Sequence, residues 1–234
     1  MTEFRPGRFE VIPTVIKNLI IVNVLVFFAQ ITFERNPTFN LENLFALHDI
    51  RSVFFRPHQL ITHMFMHGGW AHLFFNMFAL WMFGSILENL WGPKRFLIFY
   101  VVSGLGAAAL HLVVLYIEMS PVLEQFHRLP MEVQQEFLYS ERFKLNTATV
   151  GASGAVFGCL AAFGYLFPNS LLYIYFLFPV KAKWFVLFYA GMELYLGINN
   201  SADDGVAHWA HLGGALVGFI LVWFWNKRNR KTFY

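Results

Sequence analysis

The chain has 234 residues, of which 57% are hydrophobic, 19% aromatic and only 13% charged. Soluble domains carry about 25% charged residues, and the deficit is concentrated: Leu19–Phe28, Phe96–Tyr116 and Val206–Trp225 hold no Lys, Arg, Asp or Glu. That excludes an ordinary soluble domain. The single cysteine, Cys159, excludes an internal disulfide framework. The net charge of +3 is no nucleic-acid footprint, because the basic residues sit at the ends of apolar stretches rather than in one patch.

A bilayer-spanning helix needs about 20 mostly apolar residues. Six windows are read as spans, giving an all-α polytopic membrane protein in one domain over 1–234. The first, 15–33, lacks a small-residue cleavage site and is followed by further spans, so it is not read as a signal peptide. A long amphiphilic connection, 34–69, carries Phe54, Phe55 and several histidines. The second span, 70–90, holds His72 and Asn76, and the third covers 95–117. A polar insert, 118–147, is rich in Glu and Gln. There Pro130 opens either a short surface helix with Val133, Phe137 and Leu138 on one face, or a solvated loop. The fourth span, 149–167, contains Gly151-Ala152-Ser153-Gly154. The fifth, 183–199, contains Glu193, which has no evident role beyond a packing hydrogen bond. The sixth, 206–226, contains His208 and His211.

Six spans put both termini on one side. That side then holds Arg5, Arg8, Lys17, Lys94, Arg95, Lys181, Lys183, Lys227, Arg228, Arg230 and Lys231; the other holds Arg35, Arg51, Arg56, Arg128, Arg142 and Lys144. The excess of Lys and Arg marks the cytoplasmic side. The termini and 168–182 are therefore expected inside, and 34–69, 118–147 and the turn Asn199–Gly205 outside.

Polar residues within spans are costly and mark function. The second, fourth and sixth spans all enter from outside. At 1.5 Å per residue, His72, Asn76, Ser153, His208 and His211 fall within roughly the outer 10 Å of their helices. A serine hydroxyl needs an adjacent base to become a nucleophile, and neutral histidine suits that task near pH 7. His72 and Asn76, four residues apart on one helix face, are both donors able to stabilise an oxyanion, with the Ser153 N–H beside them. No Asp or Glu stands near in sequence, so a Ser153–His211 dyad is expected. Gly154 with Gly158, and Gly214 with Gly218, are small-xxx-small pairs that let two membrane helices approach closely.

Over about 15–226 the chain resembles the rhomboid family of intramembrane serine proteases. The serine motif Gly-x-Ser-Gly matches Gly151-Ala152-Ser153-Gly154. His-x-x-x-Asn matches His72 to Asn76, preceded by Met66-His67-Gly68-Gly69. Gly-x-x-x-Glu-x-x-x-Gly matches Gly84, Glu88 and Gly92. The last-span His-x-Gly-Gly with Gly four residues later matches His211 to Gly218. The resemblance implies a six-helix rhomboid-like bundle and peptide-bond hydrolysis without metal or other cofactor. It implies single-pass transmembrane proteins as substrates, entering laterally from the bilayer and cut near the outer face. It puts the nucleophile on Ser153, the base on His211 and oxyanion contributors on His72 and Asn76. Gly151 and Phe157 are further candidates for lining the site, and His208, three residues before His211, either lines it or serves structure. A bacterial cytoplasmic membrane is the expected location; the resemblance does not reach oligomeric state.

Two departures stand out. Phe157 occupies a position where many members carry a tyrosine that stacks on the catalytic histidine, so the ring can still stack but offers no hydroxyl for a hydrogen bond. The Trp-Arg of many bacterial first loops is missing, which leaves Arg51 and Arg56 without a role. Glu88, near the inner end of its helix, is expected to pair with backbone or a basic neighbour rather than to act in catalysis. A zinc site among His63, His67, His72, His208 and His211 is disfavoured, because no His-Glu-x-x-His motif is present and no carboxylate accompanies the cluster. Two other classes compete. A rhomboid-like protein that binds membrane clients without cutting them would be expected to have lost the serine or histidine. A transporter would need polarity through the whole bilayer, which the inner halves of these spans lack.

Overall fold

The computed structural model describes residues 9–34, 40–140, 143–174, 177–199 and 206–229. Of the charges used above to orient the chain, Arg5, Arg8, Arg35, Arg142, Arg230 and Lys231 lie outside the described residues, as does most of the turn Asn199–Gly205.

Each expected span corresponds to a helix. They are α1 (Thr14–Phe33), the run α4 (Trp70–Ala79) to α5 (Ser85–Trp91), α6 (Pro93–His127), α8 (Ser153–Leu166), α9 (Ala182–Asn199) and α10 (His208–Asn229). The short helices α2 (Leu41–Phe45) and α3 (Gln59–Thr62) lie in the first loop, and α7 (Met131–Leu138) lies in the insert. Among the described residues, four helices are long and apolar enough to cross a membrane: Thr14–Phe33, Trp70–Trp91, Pro93–His127 and His208–Lys227. The 14 residues of α8 rise only about 21 Å. The chain before it is held by the Leu47–Thr149 bridge and by Gly151 N–H donating to the His63 carbonyl at 2.9 Å. α8 begins two residues later, with Ser153 as its first residue.

The run 70–91 stays helical through a π turn at Leu80–Gly84, so His72 and Glu88 sit near opposite ends of one rod. The Gly84, Glu88, Gly92 motif has a physical account. An added Cβ on Gly84 would come within 2.6 Å of Ile16 Cδ1 and 3.2 Å of Phe96, so glycine here lets α1 and α6 close on the rod. The buried Glu88 carboxylate accepts from the Val15 and Ile16 N–H groups, each at 2.9 Å. Those belong to the first turn of α1, where backbone donors lack intrahelical partners and the helix dipole is positive. Gly92, at φ +79°, makes the corner from which Pro93 opens α6. The expected backbone role of Glu88 is what the structure has.

α6 passes its expected end at 117 and continues through Pro121 to His127. This extension, then α7 and a 3₁₀ turn at Lys144–Asn146, form a separate small core of Phe126, Phe143 and Leu145 against Val122, Leu123 and Leu138. The 118–147 insert is therefore mostly structured, and the helix beginning at Pro130 exists.

The first loop is clamped to this extension. The Arg51 guanidinium binds both oxygens of buried Asp49, at 2.9 and 2.8 Å, donates to Ser120 Oγ at 3.0 Å and lies over the Tyr116 ring. Ser52 donates to Asn146 Oδ1 at 2.7 Å. Arg51 is thus a tie between loop and α6, while Arg56 donates to the carbonyls of Val53 and Phe55 in its own loop. One departure from an all-helical chain is a short antiparallel hairpin, β1 (Leu171–Ile174) with β2 (Phe178–Lys181).

Between lipid-solvated helices there is little hydrophobic drive, so close packing and internal hydrogen bonds hold the bundle. Replacing Glu88 by Ala leaves two buried N–H groups without acceptors, a cost of about 1–3 kcal/mol for each. The expected outcome is a melting temperature in detergent lowered by several degrees, with Ser153 and its surroundings, at the other end of the rod, still able to form.

Candidate active site

Three helix N-termini and one C-terminal half meet at a single level. Ser153 opens α8, His208 and His211 lie in the first turn of α10, His72 lies in the first turn of α4, and Glu193 lies six residues before the end of α9. Ser153 Oγ is 2.9 Å from His211 Nε2. That contact depends on an exceptionally close approach of α8 and α10. A Cβ on Gly214 would overlap the Gly154 carbonyl, and one on Gly218 would lie 2.7 Å from Gly158 Cα. Both small-residue pairs named in the sequence thus face each other, backbone against backbone.

The His211 ring is fixed from a second side. Phe157, one turn after Ser153, stacks on it with centroids 4.2 Å apart and planes only 4° from parallel. The stack expected of a tyrosine is fully formed by phenylalanine, and Tyr189 of α9 packs on the far side of Phe157.

The third side holds what the sequence reading missed. Glu193 is buried, and its Oε2 lies 3.0 Å from His211 Nδ1 and 2.6 Å from His208 Nδ1. The His208 contact is a short hydrogen bond. The His211 contact is the longer of the two. Gly197 makes room for it: a Cβ there would come within 3.2 Å of Trp209 and 3.4 Å of His208. The expectation of a serine–histidine pair with no nearby acid is therefore corrected, because an acid 18 residues before His211 in sequence is delivered by the neighbouring helix. Glu193 has the packing hydrogen bond expected of it, to His208, and the contact to His211 besides. His208 is a partner of Glu193 rather than merely a lining residue.

On the opposite side of Ser153 stands His72. Its Nδ1 accepts from the Gly68 N–H at 3.3 Å, which leaves the proton on Nε2. Gly151, at φ +132°, has no room for a side chain: its Cβ would sit 2.9 Å from His72 Nε2 and 3.4 Å from Ser153 Oγ. The His72 Nε2–H is thus aimed at the space beside the serine. Asn76, buried one turn below, donates an amide proton to the His72 carbonyl at 3.0 Å. The N–H groups of the first turn of α8, beginning with Ser153, lack intrahelical acceptors, the first such bond running from Val156 to Ala152.

The five histidines weighed as a zinc cluster separate. His63 donates to the Gln59 carbonyl at 2.7 Å, and burial pushes it down to about 4. His67 lies edge-on to His72; burial, then the neighbouring His72, push it to about 4 as well. His208 and His211 do have a carboxylate with them, so that part of the argument against a metal falls: Glu193, His208 and His211 offer three ligand atoms within 4.8 Å of one another. Ligands of one tetrahedral zinc, bound at about 2.0–2.1 Å, stand roughly 3.3 Å apart. The 2.6 Å between Glu193 and His208 is instead the spacing of a charge-assisted hydrogen bond.

Residues 55–228 match the family described as Rhomboid domain. The chain is 29% identical over 172 residues to Rhomboid protein 1, mitochondrial, of Saccharomyces cerevisiae, covering 74% of this chain and 43% of that protein. It is 30% identical over 225 residues to RHOMBOID-like protein 12, mitochondrial, of Arabidopsis thaliana, covering 94% and 60%. It is 27% identical over 219 residues to Rhomboid protease AarA of Providencia stuartii, covering 87% and 69%. The chain thus spans less than two thirds of the yeast and Arabidopsis relatives. With mitochondrial names standing beside a bacterial one, the expected bacterial membrane finds no support in these similarities; an integral membrane location does.

The α8–α10 contact is directly testable. Gly214→Ala forces a methyl into the Gly154 carbonyl and should cost about 1–3 kcal/mol as overpacking, seen as a lower melting temperature in detergent. Gly191→Ala, on α9 where a Cβ meets nothing within 4 Å, should leave the melting temperature unchanged or slightly raised.

Proposed function

This chain belongs to the rhomboid family, and on that premise we propose that it is an intramembrane serine endopeptidase, with Ser153 as nucleophile and His211 as general base. The observation that carries the reading is the 2.9 Å contact of Ser153 Oγ with His211 Nε2. A client-binding role without cleavage has no need of that contact.

The chemistry follows from the protonation pattern. His211 Nε2, unprotonated, takes the Ser153 proton as Oγ attacks the substrate carbonyl carbon. The carbonyl oxygen gains negative charge and is met by the His72 Nε2–H, an Asn76 amide proton and the Ser153 N–H, donors already in place before charge develops. The imidazolium returns its proton to the leaving amine, the C–N bond breaks, and an ester on Ser153 remains. Water, deprotonated by His211, attacks that ester, the C–O bond to Ser153 breaks, and His211 returns the proton to Ser153 Oγ as the new carboxyl end leaves. Every proton passes through His211 Nε2, and no redox partner is required.

The substrates proposed are single-pass transmembrane proteins, entering laterally and cut near the outer face. In this reading the six span helices all cross the bilayer and the two termini share the cytoplasmic side. The excess of Lys and Arg on the side of the termini supports that placement.

Purified full-length protein in liposomes with a generic transmembrane substrate provides the test. Wild type should cleave; Ser153→Ala and His211→Ala should not. His72→Ala and Asn76→Ala should each lower kcat by about 10²–10³-fold, the typical loss of one oxyanion donor. Equal cleavage by wild type and Ser153→Ala would overturn the assignment.

A further inference from the structure

We infer that Glu193 is a positioning residue of the catalytic centre, fixing the tautomer of His211 and compensating its charge, and that His208 holds Glu193 in place. The inference deepens the proposed protease reading and rests on it.

Three observations carry it. First, the placement of Oε2 at 3.0 Å from His211 Nδ1 is on the ring nitrogen opposite the one that faces Ser153. For Nε2 to accept the serine proton, the neutral ring must carry its own proton on Nδ1. A carboxylate is an acceptor only, so it favours that tautomer and disfavours the inactive one. Second, Glu193 is buried and is the one acid of a mostly apolar helix. A buried acid without partners is strongly disfavoured in lipid-embedded structure. The only side-chain partners of Glu193 among the described residues are the two histidines of α10, so its presence is tied to this site. Third, His208 holds the same Oε2 with the shortest contact in the cluster, 2.6 Å. The carboxylate is therefore anchored before the reaction, with His211 at the longer distance of 3.0 Å.

That asymmetry has a consequence during turnover. When His211 takes the Ser153 proton it becomes a cation held between the Phe157 ring face and the Glu193 carboxylate. Its contact with Oε2 then joins two full charges instead of a neutral ring and an anion, and the attraction between them is strong in a site of low dielectric. The stabilisation grows as the transition state is approached and is small in the ground state, which is the condition for raising kcat rather than lowering KM. Glu193 remains ionised throughout; no proton passes to it.

The packing around the acid fits the same role. Glu193 and Gly197 are one turn apart on the face of α9 that meets the start of α10, and a Cβ at Gly197 would press on His208 and Trp209. The open glycine position thus brings α10 close enough for both histidines to reach one carboxylate oxygen.

The test compares wild type, Glu193→Gln and Glu193→Asp as full-length proteins in liposomes, with kcat, KM and melting temperature measured for each and Ser153→Ala as the inactive reference. Gln keeps the shape and hydrogen-bonding capacity but not the charge. The expected result is a fall in kcat of tenfold or more for Glu193→Gln, with KM and melting temperature close to wild type; removal of the acid from serine protease triads costs about 10⁴-fold in kcat. A kcat for Glu193→Gln within tenfold of wild type overturns the inference. Should Gln lower the melting temperature as well, Glu193→Asp decides: regained kcat at the same lowered stability supports a charge requirement, and no regain overturns it. If Ser153→Ala cleaves like wild type, the protease reading fails instead; if Ser153→Ala is dead and Glu193→Gln fully active, only the role of Glu193 fails.

Discussion

Everything at the candidate centre depends on the backbone contact between α8 and α10. A serine hydroxyl and an imidazole on separate membrane helices can be 2.9 Å apart only if the helix axes are unusually close. Gly154 and Gly158 on one helix, and Gly214 and Gly218 on the other, remove the side chains that would otherwise hold them apart. In lipid this packing is also the main source of helix association. The same contact therefore contributes to stability and sets the geometry of the reaction.

Around that contact the polar groups are arranged by depth. One end of the bundle gathers Ser153, His211, His208, Glu193, His72 and Asn76, each drawn from a helix end or a turn or two inside it. The other end holds Glu88, whose two bonds to the start of α1 satisfy donors that lipid could not. Between them the interior is largely apolar, built on Leu80, Phe96, Phe99 and Tyr100. The first loop is anchored through Arg51 to α6 and through Leu47 to Thr149, four residues before Ser153. The position of Ser153 is thus a result of the loop as much as of its own helix.

Much of this was readable from residue order. Hydropathy located every long helix, because the bilayer demands continuous apolar runs. Spacing placed His72 with Asn76 on one face, and the glycine pairs announced a close crossing. Glu193 was harder. Depth reckoning applied to helices entering from outside finds Ser153 and His211 at once; the same reckoning applied backwards along α9, which runs toward that side, puts Glu193 about 9 Å from its end and at the same level. An acid in an apolar span was the available signal, and proximity in sequence was the wrong measure of its neighbours. The extension of α6 through Pro121 was illegible for another reason: its residues bury a local core of Phe126, Phe143 and Leu145 that exists only once the loop folds back. The hairpin of Leu171–Ile174 with Phe178–Lys181 is a local pairing, and it carries no span-like signal.

The most direct measurement is the location of covalent modification by a fluorophosphonate. Such a reagent reacts with a serine only when a neighbouring base activates it. Peptide mapping by mass spectrometry of the labelled wild-type protein should place the adduct on Ser153 alone, and the His211→Phe variant, which keeps a ring to pack on Phe157, should carry none. An adduct on a different serine, or labelling of Ser153 at an undiminished rate without His211, would contradict the account.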